Sequence, residues 1–154
     1  MLASVDYRNN KFALIGTSQT TVNKVAYVSA FSITSPFGTN RFNAGNEVLS
    51  LSALQGNFDG VSITHLDNGG FLALLDQEIT IISGVARNIA LVKLNSQGRP
   101  IWETSFGSAE FEDFSAKVTE LPDGKILVLG TFSIGGSQLK MGLIKLNSKG
   151  EFLK

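Results

Sequence analysis

The segment Leu91-Val92-Lys93-Leu94-Asn95-Ser96-Gln97-Gly98 returns 52 residues later as Leu143-Ile144-Lys145-Leu146-Asn147-Ser148-Lys149-Gly150. Six of the eight positions are identical, and the other two exchange Val for Ile and Gln for Lys. Upstream, residues Val61–Phe71 match Ala116–Ile126 at a spacing of 55. Two matching pairs in one order and at nearly one period mark a repeat protein. A weaker copy opens the chain, where Asn9–Ser18 parallels Asp123–Phe132 and Gly16 stands where Gly130 does. Val25–Phe31 then takes the place of the Leu-Val-Lys-Leu segment. The chain therefore reads as three units of roughly 50 to 60 residues, a period of propeller blades or solenoid arrays.

Each unit reads as four short strands. In the middle unit they are expected at about 60–66, 70–76, 88–94 and 100–106. Asn68-Gly69 and its counterpart Asp123-Gly124 predict two-residue hairpins of type I′, whose central residues need positive φ. Asn95-Ser96-Gln97-Gly98 and Asn147-Ser148-Lys149-Gly150 predict slightly longer hairpins with the glycine in the left-handed region. No long stretch shows a 3.6-residue apolar period, so the fold class is all-β. Phe71-Leu72-Ala73-Leu74-Leu75 and Ile126-Leu127-Val128-Leu129 are apolar at every position instead of alternating. Strands of that kind need cover on both faces, which four-stranded blades stacked around an axis supply.

These residues resemble the β-propeller repeats of bacterial exported and surface proteins. The resemblance is carried by Asp123-Gly124-Lys125 leading to Gly130-Thr131, by Lys93-Leu94-Asn95-Ser96-Gln97-Gly98, and by Trp102 with Phe106-Gly107. It covers residues 57–154 well and 1–56 loosely. It implies antiparallel four-stranded blades over 1–56, 57–112 and 113–154. The first blade departs from the pattern, because an insertion over 32–46 replaces the Asn-Ser-x-Gly turn. Three blades fall short of the usual four to eight, and the third stops at Glu151-Phe152-Leu153-Lys154 with its fourth strand cut short. The expectation is a part of a larger propeller, or open pieces that assemble into a ring.

Composition removes several function classes. Thirteen basic and thirteen acidic residues cancel among 154, leaving no broad basic field for nucleic acid or anionic membrane. The chain has no cysteine, which excludes disulfides, thiolate chemistry and Cys-ligated zinc or iron–sulfur centres in these residues. A single histidine leaves no multi-His metal site. No apolar run is long enough to span a membrane, and Met1–Arg8 lacks the pattern of a signal peptide. No cofactor and no metal are expected.

Candidate chemistry is sparse. His65 corresponds to Glu120 in the next unit and reads as a tolerant polar edge of a strand. Glu110, Glu112 and Asp113 form the densest acidic group and are candidate binding residues, as a calcium site or a glycosidase pair. They lack calcium-loop spacing, however, and Phe111 within the group and Phe114 after it suggest a solvated loop pinned to a core. Trp102 reads as a core plug, and the recurring Lys93 and Lys145 as side chains lying along a neighbouring blade. The links between second and third strands (18–24, 77–87 and 132–139) and between fourth and first strands (53–58 and 107–112) share one face. They are longer and more varied than the turns at the other end, which favours that face for binding. On the insertion, Phe37, Arg41 and Phe42 resemble the anchors of a protein contact; the alternative is that both rings fold back over the neighbouring blade.

The function expected is a non-enzymatic propeller module for binding or scaffolding in a bacterial surface or periplasmic assembly. Its partners would be a protein, missing blades of the same propeller, or an oligosaccharide. The alternative is the propeller portion of a carbohydrate-active enzyme whose catalytic residues lie outside this segment.

Overall fold

The computed structural model describes residues 1–8, 11–19, 24–32, 47–50, 57–82, 84–108, 111–134 and 138–153. Among them the strands are β1 (Leu2–Arg8), β2 (Lys11–Gln19), β3 (Lys24–Ser32), β4 (Glu47–Ser50), β5 (Asn57–His65), β6 (Phe71–Ile81), β7 (Gly84–Leu94), β8 (Pro100–Phe106), β9 (Phe114–Glu120), β10 (Ile126–Ile134) and β11 (Gln138–Leu146), and no helix forms. Sequence neighbours pair antiparallel into three meander sheets, β1-β2-β3-β4, β5-β6-β7-β8 and β9-β10-β11. Beyond β11 a single antiparallel bridge joins Leu146 to Phe152. The all-β reading of the turn chemistry is correct.

Four turns share one geometry, and it is not the one expected for Asn68-Gly69. Gly69 N donates to Leu66 O at 3.0 Å while Leu66 N donates to Gly70 O at 2.9 Å. Gly98, Gly124 and Gly150 repeat this pattern against Asn95, Leu121 and Asn147. Each loop therefore has three residues, with the glycine last at φ between 73° and 85°. Asx side chains stabilise these loops locally: Asn95 Oδ1 accepts from Gln97 N and Arg99 N, and Asn147 Oδ1 from Lys149 N and Glu151 N. The third residue turns an expected type I′ pair into a wider loop that still follows strand twist.

A second difference concerns strand length. β6 and β7 stay paired out to Ile81 opposite Gly84, so most of 77–87 is hairpin ladder and not a long link. Near the tip, Ile82 and Val85 stand in solvent.

The three sheets stack face on face. In β6, Phe71, Ala73 and Leu75 point to the first sheet and join Ala13, Ile15, Ala26 and Val28 in one core. The alternate residues Leu72 and Leu74 point to the third sheet and join Val118, Ile126, Val128 and Leu146 in a second core. The all-apolar run Phe71–Leu75 is thus accounted for by burial on both faces, since its side chains alternate between two cores. In β10, by contrast, Ile126 and Val128 are buried but Leu127 and Leu129 are half-buried on the other face, so the two-sided cover expected for Ile126–Leu129 is not met. We call the face of a sheet that meets its successor the front, and the other the back. Two features recur in each unit. The first strand bulges at one place, between Leu2 and Ser4, between Gly60 and Ser62, and opposite Leu129 and Gly130 in β9. The first strands also lie together, β1 against β5 and β5 against β9, while among the described residues β4 and β8 share no comparable contact.

Candidate functional site

The chemistry-bearing side chains gather on the seams between sheets. At the first seam, Thr17 Oγ1 accepts the buried backbone N–H of Gly60 at 3.0 Å. At the second, Asp76 Oδ1 accepts Ser115 N at 2.8 Å and Ser115 Oγ at 2.6 Å. Thr17 and Asp76 hold the same position, one residue past Gly16 and Leu75, which pair with the bulge residues Leu2 and Gly60. Gly60 and Ser115 are likewise equivalent. A bulge turns a backbone N–H out of its own ladder, and the preceding sheet supplies the acceptor. Burial pushes the Asp76 carboxyl above the ordinary range, and the two bonds from Ser115 oppose that rise without cancelling it.

A cation lies beside each latch. Lys24 Nζ bonds Glu78 at 2.6 Å and Asp59 at 3.1 Å, and those bonds raise its pKa, Glu78 contributing most. Its repeat-equivalent Arg87 bonds Glu78 at 3.3 Å and lies 5.6 Å from the ring centre of Phe114, the equivalent of Asp59. The same third-strand position therefore meets the same first-strand position of the next sheet, once as an ion pair and once as a cation–π contact.

His65 is not the exposed edge residue expected from its match to Glu120. It is only 6% exposed. Its Nδ1 lies 3.0 Å from Asp6 Oδ2, which also accepts the His65 backbone N–H at 2.7 Å. Its ring packs on Phe71 at 5.0 Å, and its buried Nε2 has no hydrogen-bond partner among the described residues. Burial raises the Asp6 carboxyl, but the bonds from His65 outweigh that effect and hold it below the ordinary range. Alternation was the available signal: His65 follows Ile63 by two and faces the same core.

Of the expected loop residues, Phe37, Arg41, Phe42 and Glu110 lie outside the described residues. Glu112 is exposed, and its backbone bridges Arg87. Asp113 is buried and turned inward. Its Oδ2 accepts Ser108 N at 2.8 Å, its Oδ1 accepts Ser133 N at 2.7 Å, and its own N–H donates to Arg87 O at 2.7 Å. The structure thus separates Glu112 from Asp113, and the latter carboxylate spends both oxygens on backbone. Among the described residues, no group of three or more His, Asp or Glu could hold a metal ion, and no helix is long and apolar enough to cross a membrane.

Trp102 is half-buried against the second core, over the third unit's turn at Gly150. Lys93 extends beside it, Nζ 6.0 Å from the ring centre and 3.4 Å from Ser148 O. That is the cross-unit path expected of this lysine.

Among the described residues, two sheet faces remain open. The third sheet's front carries Leu139, Met141 and Leu143 in the positions of Arg87, Ile89 and Leu91. Ile89 and Leu91 are 0% exposed, whereas Met141 is 80% and Leu143 64% exposed. The first sheet's back carries Leu2, Val5 and Tyr7, all exposed, in the positions of Gly60, Ile63 and His65. No protein-family model matches the chain, and no curated protein is significantly similar to it.

Proposed function

We propose that the chain is a propeller-type repeat module that binds or scaffolds partners and does not itself catalyse a reaction. The observation that supports this most is the front-to-back packing, repeated at two seams with the same latch and the same bulge. Meander sheets whose first strands converge are wedges, and wedges of this kind surround an axis as blades. The polar groups brought together at the seams are engaged in joining sheets. Asp76, Asp113, Asp6 and Thr17 each accept backbone N–H groups, which is a structural use of polar chemistry.

The partner surface is assigned to loops on this rigid stack. The chain between β3 and β4 is the leading choice. Its sister connection between β7 and β8 closes with a three-residue loop, so the additional length over 33–46, with Phe37, Arg41 and Phe42, serves something other than strand connection. The resemblance of the repeats to those of exported bacterial proteins supports a place at the cell surface or in the periplasm, with a protein as the partner.

The test replaces residues 34–44 by Asn-Ser-Lys-Gly and measures melting and binding together. The expected result is an unchanged melting temperature with loss of a protein retained by the unaltered chain. A variant that keeps its partner would remove residues 34–44 from the site. Hydrolysis of an oligosaccharide by the purified chain would overturn the non-enzymatic reading.

A further inference from the structure

We propose that the open front of the third sheet receives the open back of the first sheet of a second copy, so that chains join head to tail. The inference uses the stacking of the sheets alone, and holds whether or not a ring closes.

The molecule displays the same contact twice, and its two free faces are the two halves of a third. The latch acceptors are Thr17 and Asp76; the third residue in that position is Thr131, which follows Gly130 as Thr17 follows Gly16 and lies on the open front. The latch donors are the nitrogens of Gly60 and Ser115; the remaining bulge position is Leu2, on the open back. Stacking a second copy in the register of the existing seams therefore presents Leu2 N to Thr131 Oγ1.

The side chains beside the latch match as well. Lys24 meets Asp59, and Arg87 meets Phe114. The corresponding residues on the open faces are Leu139 and Met1, since Met1 pairs with Thr17 as Asp59 pairs with Asp76 and Phe114 with Thr131. At each seam the pair is chemically suited, cation to anion, cation to ring, and here apolar to apolar. The apolar surfaces agree too: Met141 and Leu143 correspond to the fully buried Ile89 and Leu91, and Val5 to the fully buried Ile63 and Val118. A front meets a back, so the contact is heterologous. Like faces do not meet, and association continues until the rotation closes or a filament forms.

The test uses these 154 residues, which contain no cysteine. Leu2→Cys and Thr131→Cys variants are prepared separately, mixed and oxidised. The equivalent pair Asp76 and Ser115 touch at 2.6 Å, so thiols at these sites come within bonding reach. A disulfide between the two different variants, with little within either alone, is the expected result. Crosslinks within the Thr131→Cys variant alone would mean that like faces pair, and would overturn the proposal. Sedimentation of the unaltered chain supplies the second readout. It should associate with concentration, and Met141→Lys with Leu143→Lys should weaken this by roughly tenfold or more, because an ammonium would be buried unpaired. Both positions are solvent-exposed in the single chain, so its fold survives the change. A monomer at all concentrations up to about 100 μM, a bound that limits any association to less than about 6 kcal/mol, would overturn the proposal.

Discussion

Asp76 in β6 accepts both the backbone N–H and the hydroxyl of Ser115 in β9, at 2.8 and 2.6 Å, and so fastens the second sheet to the third. The same position in the first sheet is Thr17, which fastens Gly60. A carboxylate and a hydroxyl thus do one job, and they differ in what burial costs them.

Burial holds Asp76 above the ordinary carboxylate range, so the folded chain keeps that proton more tightly than the unfolded chain. Its contribution to stability falls as pH rises through the window between the ordinary and the raised value, and the neutral protein bears the full cost. Asp76→Asn retains an oxygen for Ser115 and removes the charge. Its melting temperature at neutral pH should equal or exceed that of the parent, with a weaker decline across the window. Asp76→Ala orphans the Ser115 N–H and should lose about 1–3 kcal/mol. Thermal melts across the acid range check both.

The Asp6–His65 contact has the opposite sign. Asp6 sits below its ordinary range, so its stabilisation is present above that range and disappears as pH falls through the folded value. His65→Ala removes a buried ring as well as the Nδ1 contact and should cost about 1–3 kcal/mol. A double-mutant cycle with Asp6→Asn should return a coupling of about 0.5–3 kcal/mol. Coupling near zero would mean that the contact does not form in solution.

Gly124 and Gly150 separate turn strain from packing. Both are in the left-handed region, at φ 76° and 81°. A Cβ at Gly124 would meet nothing within 4 Å, whereas at Gly150 it would meet the Trp102 ring at 2.8 Å. Gly124→Ala should cost about 1 kcal/mol from strain alone. Gly150→Ala should cost more and shift Trp102 fluorescence. Denaturant melts with fluorescence detection give both readouts at once.

Leu91 and Leu143 are the same residue of the repeat in opposite surroundings. Leu91→Ala should lose about 2–5 kcal/mol, because a cavity opens between two sheets. Leu143→Ala should lose less than about 0.5 kcal/mol when measured in dilute solution, where its face is open to water. Similar losses at both sites in dilute solution would contradict the stacking order.

Local chemistry made much of this molecule legible in the sequence. The all-β class, the turn glycines and the double-sided burial of Phe71–Leu75 follow from alternation and from backbone angles that few residues adopt. These signals act over a few residues, so a linear reading captures them. Turn width and the reach of β6 and β7 escaped it, since pairing of two whole strands sets where a loop begins.

Contacts across seams were decided by tertiary structure. The burial of His65 depends on Asp6, 59 residues away, and the exposure of Leu143 depends on a neighbour that Leu91 has and it lacks. Thr17, Asp76 and Thr131 carried a faint mark, one polar residue closing each second-strand apolar run. Its meaning emerged only once the next sheet's bulge was beside it. A repeat states what each unit can contact; which of those contacts are filled is set by the units actually packed against it, because burial is a property of neighbours.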